Sequence, residues 1–204
     1  MKSLVARAGV IGIVFLTLAF AITALSKTKH HKEGLPLQDA TILIIRHAEK
    51  PPEGPELSEE GQRRAKAYVQ YFSNFQVNTQ VLRIDYLIAA SDSKQSHRPR
   101  LTLKPLSNAL GLKINTRFDD KDYAALAEDL QTNDHGKAIL ICWHHGSIPE
   151  LLQALGANPW AVLSRGKWPP DQFAWVLQLR FDHSGRLIPE ETRRIEEHLL
   201  PQDG

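Results

Sequence analysis

Histidine and arginine side chains follow the apolar runs that predict buried strands. Residues 40–45 (ATILII) form a short β-branched run that leads directly into Arg46 and His47, and residues 138–143 (AILICW) lead into two further histidines. Charged or imidazole side chains at the end of a buried strand cost free energy unless they are paired or used. Because ligands of parallel sheets bind beyond the carboxyl ends of the strands, the pattern predicts a crevice where these side chains converge.

A basic segment adds to this crevice. The run at residues 84–90 predicts a third strand, which ends before Ser91, and Arg98 and Arg100 follow just before a predicted helix. Guanidinium groups match pairs of phosphate oxygens. Arginines and histidines at three strand ends therefore favour a dianionic phosphoryl group as the ligand.

A zinc site is the alternative use of the same side chains. Its ligands would be His47, His144 and His145. Glu49 is the acidic residue nearest to them in sequence, and the neighbouring Arg46 would repel a cation. Phosphate is therefore favoured, and neither a metal nor another cofactor is predicted.

Strands and helices alternate along the rest of the chain. Helix-like apolar stripes predict helices at residues 57–72, 100–110, 123–130 and 149–155, and further strands are predicted at 113–117, at 173–181 and from Arg186 onward. This alternation predicts an α/β three-layer sandwich with a mostly parallel central sheet and helices on both faces.

The first 26 residues predict a signal peptide or membrane anchor. Residues 8–26 are 19 consecutive uncharged residues, longer than the roughly 7–15 of a typical signal-peptide core and close to the roughly 20 that span a bilayer. Residues 27–39 are interpreted as a linker and residues 40–204 as one domain. An exported or membrane-anchored protein with its body on the extracytoplasmic face is favoured, with residues 8–26 contacting the membrane if they are not cleaved.

The composition excludes several other classes of protein. The chain has 25 basic and 23 acidic residues; the two excess positive charges, Lys2 and Arg7, lie before residue 26, so the remainder is neutral and nucleic acid is not an expected partner. The one cysteine, Cys142, lies in a predicted buried strand and is interpreted as a core residue. A disulfide framework is excluded.

Four segments together resemble the histidine phosphatase (phosphoglycerate mutase-like) superfamily, over about residues 40 to 181. Residues 46–49 (RHAE) resemble its Arg-His-Gly signature, and residues 57–65 (LSEEGQRRA) resemble the segment that leads into its first helix. Residues 91–102 resemble its Ser…Arg…Thr segment, and residues 145–146 resemble its second His-Gly. The resemblance implies a phosphoglycerate mutase-like fold.

The resemblance also implies roles for the site residues. His47 would be the nucleophile that carries a phosphohistidine, while Arg46, Arg98 and His145 would bind the phosphate, and His145 would face His47 as the second catalytic histidine. Ala48 stands where the signature has glycine. The substrate would be a phosphorylated small molecule or a phosphoprotein, as in the small bacterial phosphatases that the segment KPPEGP after the signature resembles.

Two departures leave alternatives open. The spacing after Ser91 is longer than the usual one, so Arg100 is an alternative to Arg98. The acid that donates a proton in the family has no clear match; Asp119 or Asp120 lies in about the right place, and Glu49 is a weaker candidate.

Two other functions compete with a phosphatase. A non-catalytic phosphate-binding or scaffold protein on the same fold is the main rival, because the proton donor is not clear and the arginine segment is stretched. A mutase is less favoured, because long substrate-covering insertions are not evident. His144 is interpreted as a packing or supporting residue.

Overall fold

The apolar runs of the sequence form a six-stranded central sheet in the structure, a computed structural model that describes residues 36–203. The strands are β1 (Thr41–Arg46), β2 (Gln76–Val77), β3 (Gln80–Val81), β4 (Tyr86–Ala89), β5 (Ile114–Asn115), β6 (Ala138–Trp143), β7 (Trp175–Arg180) and β8 (Arg193–Glu196). The central sheet has the order β5-β4-β6-β1-β7-β8, while β2 and β3 form a separate hairpin. Strands β5, β4, β6 and β1 are parallel, and β7 is antiparallel to both of its neighbours.

Helices cover both faces of this sheet. They are α1 (Glu59–Ser73), α2 (Arg98–Leu110), α3 (Tyr123–Thr132), α4 (Ile148–Ala154) and α5 (Pro159–Val162), and short 3₁₀ turns lie at 164–166, 189–191 and 201–203. Helices α1 and α2 pack on one face and α3, α4 and α5 on the other. The three-layer α/β architecture with a mostly parallel sheet is therefore confirmed for residues 36–203.

Alternating side chains of β1 belong to the two cores on either side of the sheet. Ile42 and Ile44 pack with α3 and α4, whereas Leu43 and Ile45 pack with α1 and α2. Every residue of β1 is buried, as expected for a central strand covered on both faces. The same alternation determines on which face of the sheet the first side chain after each strand lies.

The pairing of β1 with β6 sets the position of the crevice. The two strands are parallel, in a register that runs from Thr41↔Ala138 to Arg46↔Trp143, so they end at the same level. The ladder continues one step further, because the His47 N–H donates to the Trp143 carbonyl oxygen at 3.0 Å. The polar residues after both strands therefore emerge side by side.

Most predicted elements match the structure, and their ends have local causes. Helix α1 begins at Glu59 because the Ser58 side chain accepts from the Gly61 N–H, and α2 begins at Arg98, two residues earlier than predicted. The strand predicted at 113–117 shortens to the two residues of β5. The edge strand expected from Arg186 onward begins only at Arg193, after the 3₁₀ turn at 189–191.

The predictions for the amino-terminal segment lie mostly outside the described residues. The signal peptide or anchor at 1–26 and the linker up to residue 35 belong to that part. The last residues of the predicted linker, 36–39, form a turn whose Leu37 is buried in the core. Between residues 36 and 203, no helix has the length and apolar character that crossing a bilayer requires.

Candidate active site

His47 is buried directly after β1, and one of its ring nitrogens is fixed. Its Nδ1 lies 2.8 Å from the carbonyl oxygen of Ala48, which can only accept, so the neutral ring carries its proton on Nδ1 and leaves a lone pair on Nε2. Burial, with the charges of Arg46, His144 and Arg98, lowers the pKa of His47 to about 3. A neutral imidazole with a free Nε2 is a nucleophile at physiological pH.

Thr102 connects the segment after β1 to helix α2. Its hydroxyl accepts from the Ala48 N–H at 2.9 Å and donates to the Arg98 carbonyl oxygen at 2.8 Å. The side chain is fully buried. One hydroxyl thus ties the backbone beside His47 to the first turn of the helix that carries Arg98.

The histidine that faces His47 is His144. The centroids of the two rings lie 5.1 Å apart, and the ring planes are inclined at 69°. The family resemblance implied that His145 faces His47. In the structure, His145 instead lines a cavity of about 400 Å³ with Lys167 and Trp168. The predicted pairing of His47 with His145 is therefore corrected to His47 with His144.

The register of β1 and β6 explains this correction. Residues paired across a parallel ladder point to the same face, and His47 and His144 follow the last pair, Arg46↔Trp143, by one residue each. Ile45 and its register partner Cys142 both pack on the α1 and α2 face, so the two histidines continue that face. His145, one residue further along, lies in the turn that leads into α4 and lines the cavity with Lys167 and Trp168.

Burial also keeps the two later histidines neutral in the free site. Burial lowers the pKa of His144; the charge of Asp120 opposes this shift, while Arg98 and Arg46 add to it. For His145, burial followed by the charge of Arg46 lowers the pKa to about 4. The positive charge of the free crevice therefore comes from its arginines.

A late loop holds Arg46 in place. Its Nη1 donates to the carbonyl oxygens of Pro170 and Gln172, each at 2.9 Å, and its guanidinium lies 3.8 Å from the centre of the Phe173 ring. The side chain is buried, and burial lowers its pKa to about 10. The buried Nε has no partner among residues 36–203. Arg46 thus keeps its charge and still has hydrogen-bond donors for a ligand.

Arg98 and Arg100 have different environments, which separates the two alternatives. Arg98 donates from Nη1 to the Gly54 carbonyl oxygen at 3.0 Å, and its buried Nε has no partner within the described part of the chain. Its charge adds to the burial that lowers the pKa values of both facing histidines. Arg100 instead donates from Nε and Nη2 to one oxygen of Asp92, at 2.8 and 2.6 Å. The structure brings Arg98 to the crevice and leaves Arg100 in a surface ion pair.

The three candidate proton donors lie in different places. Asp119 accepts a hydrogen bond from the Ser91 hydroxyl. Asp120 is the acid whose negative charge acts on His144, and one of its buried oxygens has no partner in the described structure. Glu49 is buried and accepts from Arg64 at 2.7 and 2.9 Å. Asp120 is therefore the acid that the structure places beside the histidines.

Two supports of the site have no clear signal in the sequence: Thr102 and the loop that holds Arg46. Thr102 matched a motif position, but nothing in the sequence indicated its bond to Ala48. The loop contacts are made by backbone carbonyl groups more than 120 residues from Arg46, which no side-chain pattern reveals. Among residues 36–203, no group of three or more His, Cys, Asp or Glu side chains is arranged to hold a metal ion.

Known structures share this fold. The phosphoglycerate mutase of Plasmodium falciparum is 17% identical in sequence, with a TM-score of 0.52 over 79% of this chain and 94% of that one. The protein histidine phosphatase SixA in complex with tungstate is 16% identical (TM-score 0.49, 76% and 96% covered), and a mycobacterial glucosyl-3-phosphoglycerate phosphatase is 17% identical (TM-score 0.43, 77% and 96% covered). No protein-family model and no curated protein matches the sequence. The described chain therefore has the fold of this phosphoglycerate mutase.

Proposed function

We propose that the protein is a metal-independent phosphatase that hydrolyses a phosphomonoester, or a similar phosphorylated group, through a phosphohistidine on His47. One observation carries this proposal. A neutral imidazole with a free Nε2 faces a second histidine, and the charges of Arg46 and Arg98 act on it. Cationic groups of this kind offset the charge that develops on the phosphoryl oxygens during transfer.

The reaction would proceed in two displacements. His47 Nε2 attacks phosphorus in line, a nitrogen–phosphorus bond forms, and the bond to the leaving oxygen breaks. Arg46 and Arg98 hold the non-bridging oxygens throughout. Water then attacks the phosphohistidine, which releases inorganic phosphate and returns the electron pair to Nε2.

His144 would change its protonation state during this cycle. In the free site its pKa is lowered, mainly by burial, but a bound phosphoryl dianion favours the imidazolium form. A charged His144 would then donate a hydrogen bond to the phosphoryl group, and the ring faces His47 as this role requires.

Asp120 is the proposed acid for the leaving group. Its charge acts on His144, and its buried oxygen has no partner among the described residues. A carboxyl group there could protonate the departing alcohol and later accept a proton from water. Substrates whose leaving group needs no proton would depend on it less.

The substrate proposed is a phosphorylated small molecule or a phosphoprotein. The alternative, a non-catalytic phosphate-binding or scaffold protein on this fold, is favoured by one observation. Arg46 Nη1 already donates to two loop carbonyl groups, so part of the hydrogen-bonding capacity of this arginine fixes the loop and is not free for a ligand. The two functions differ in turnover, not in phosphate binding.

The decisive experiment measures turnover of p-nitrophenyl phosphate by the full chain in EDTA, with three alanine variants. His47→Ala should lower kcat by several orders of magnitude and abolish the acid-labile, alkali-stable phosphate trapped on the protein. His144→Ala should lower kcat by about 10²-fold or more, and the adjacent His145→Ala, a matched control, should lower it by less than about 10-fold. Wild-type protein that binds phosphate without turnover would favour the scaffold; wild-type turnover in His47→Ala would exclude this nucleophile.

We further propose that residues 8–26 tether the domain to a membrane or direct its export, as their 19 uncharged residues favour. Membrane fractionation of cells that express the full chain tests this. Unprocessed chain in the soluble cytoplasmic fraction would contradict it.

A further inference from the structure

A buried cluster of charges lies behind the segment that carries His47. It consists of Glu49, Arg64 and Tyr68, together with Glu197 and Asp203 near the end of the chain. The side chain of Arg64 is 1% exposed, and those of Glu197 and Asp203 are 0% and 3% exposed. We call these five residues the Arg64 cluster. It is not part of the crevice described above.

Arg64 connects two parts of the cluster through both sides of its guanidinium. Its Nε and Nη2 donate to Glu49 Oε1 at 2.9 and 2.7 Å, and its Nη1 and Nη2 donate to the two oxygens of Asp203 at 3.1 and 2.5 Å. Asp203 also accepts from the backbone N–H groups of Leu199 and Leu200. The last turn of the chain is therefore joined through Arg64 to Glu49.

Glu49 in turn connects the cluster to the active site. It lies two residues after His47, and its carbonyl oxygen accepts from the Ser58 N–H, where α1 begins, at 3.0 Å. Gly61 approaches so closely that an added Cβ would lie 2.4 Å from the same oxygen. Among the acids, Glu49 is also the one whose charge acts most strongly on Arg46, ahead of Asp171. Displacement of Glu49 would therefore move the backbone of the nucleophile and change the field at Arg46.

Stability alone does not explain such a cluster. Buried ion pairs cost so much desolvation that apolar side chains of similar volume often stabilise a protein as well or better. Bidentate arginine–carboxylate contacts do, however, fix geometry tightly. Their role here is to hold the segments that they connect in fixed positions.

We propose that Arg64 is a positioning residue for the reaction at His47: held by Asp203, it fixes Glu49 and thereby the segment that carries Arg46, His47 and Ala48. This inference rests on the proposed phosphatase function. According to this inference, the turn at residues 201–203, more than 150 residues from His47 in sequence, helps to hold the active site in place.

Three variants test the route from Asp203 to Glu49, each assayed with p-nitrophenyl phosphate and by titration with inorganic phosphate. Arg64→Lys keeps the positive charge but loses the paired hydrogen bonds of the guanidinium group. It should lower kcat about 10–100-fold, because small displacements near the reacting atoms lower rates by this order. KM and the affinity for inorganic phosphate should change by less than about 3-fold. Asp203→Asn should lower kcat by a smaller factor. Glu49→Gln should lower kcat but tighten phosphate binding, because a negative charge beside Arg46 is removed.

Tyr68→Phe is the control within the same cluster. It removes the 3.0 Å hydrogen bond from Tyr68 to Glu197, which lies off the route from Asp203 through Arg64 to Glu49. It should lower the melting temperature and leave kcat within about 2-fold of wild type. The inference would be overturned if folded Arg64→Lys protein kept the wild-type kcat, or if Tyr68→Phe lowered kcat as much as Arg64→Lys does. In either case, turnover by the wild-type protein would still support the phosphatase function. Absence of wild-type turnover would instead refute that function, and the positioning role with it.

Discussion

Glu197 should make the stability of the protein depend on pH in an unusual direction. The residue is 1% exposed; burial, reinforced by the charges of Asp203 and Glu49, raises its pKa to about 8, although Arg64 and Tyr68 oppose the shift. Burial also raises the pKa values of Tyr71 on α1 and Cys142 on β6, and the charge of Glu197 adds to both shifts. In the folded protein Glu197 therefore keeps a proton that an unfolded chain loses near pH 4.5.

The sign of the effect follows from this difference. A folded-state pKa above the unfolded value contributes stability that is complete below about pH 4.5 and is lost as pH rises towards 8. Each pH unit in this window costs up to about 1.4 kcal/mol. Between pH 6 and pH 8 the loss amounts to about 2 kcal/mol, because the titration flattens as pH approaches the folded pKa.

Glu197→Gln isolates this contribution, because glutamine keeps the shape of the neutral acid and does not titrate. We expect urea unfolding of the wild-type chain and the variant to show a free-energy difference that moves by about 2 kcal/mol in favour of the variant between pH 6 and pH 8. The buried histidines titrate equally in both proteins, so their contribution cancels. An equal difference at the two pH values would refute the reasoning.

Three further experiments test the supports of the site. Thr102→Val should lower the free energy of unfolding by about 1–3 kcal/mol, since it leaves the buried Ala48 N–H without an acceptor; urea unfolding measures this, and an unchanged midpoint would contradict it. Arg98→Ala should lower kcat/KM for p-nitrophenyl phosphate about 10²-fold, whereas Arg100→Ala should stay within about 3-fold of wild type; equal losses would refute the assignment. Gly61→Ala should destabilise the fold by about 1–3 kcal/mol, because its Cβ would collide with a backbone oxygen that cannot move away cheaply; a wild-type melting temperature would show that the backbone yields.

Strands buried on both faces could be predicted from the sequence with close bounds, whereas the bounds of the edge strands could not. The strand at 138–143 was predicted with its observed bounds because all six residues are apolar and buried. Strand β8 has the sequence Arg-Arg-Ile-Glu at the edge of the sheet, where no core face imposes a pattern, so its start was placed too early. Strand β5, also at an edge, has only two residues.

The site was predictable as far as local order along the chain could carry it. Arg46 and His47 follow a buried strand and needed no further information. The choice between His144 and His145 depends on how β1 aligns with β6, which is a relation between segments about 97 residues apart. The contacts of Arg64 with Asp203 join residues 139 apart in sequence. Both residues are of charged types that usually lie on the surface, so the sequence does not indicate that they meet in the interior.

The register of β1 and β6 has a consequence for how this site can change by insertion or deletion. A one-residue deletion within β6 that shifts the residues after it would bring His145 to the position of His144, but it would also turn every strand side chain after the deletion to the opposite face. Trp143, which packs with α3 and α4, and Cys142, which packs with α1 and α2, would exchange cores. The length of this strand is therefore fixed by its packing, and substitution remains the accessible route by which the histidine opposite His47 can be replaced.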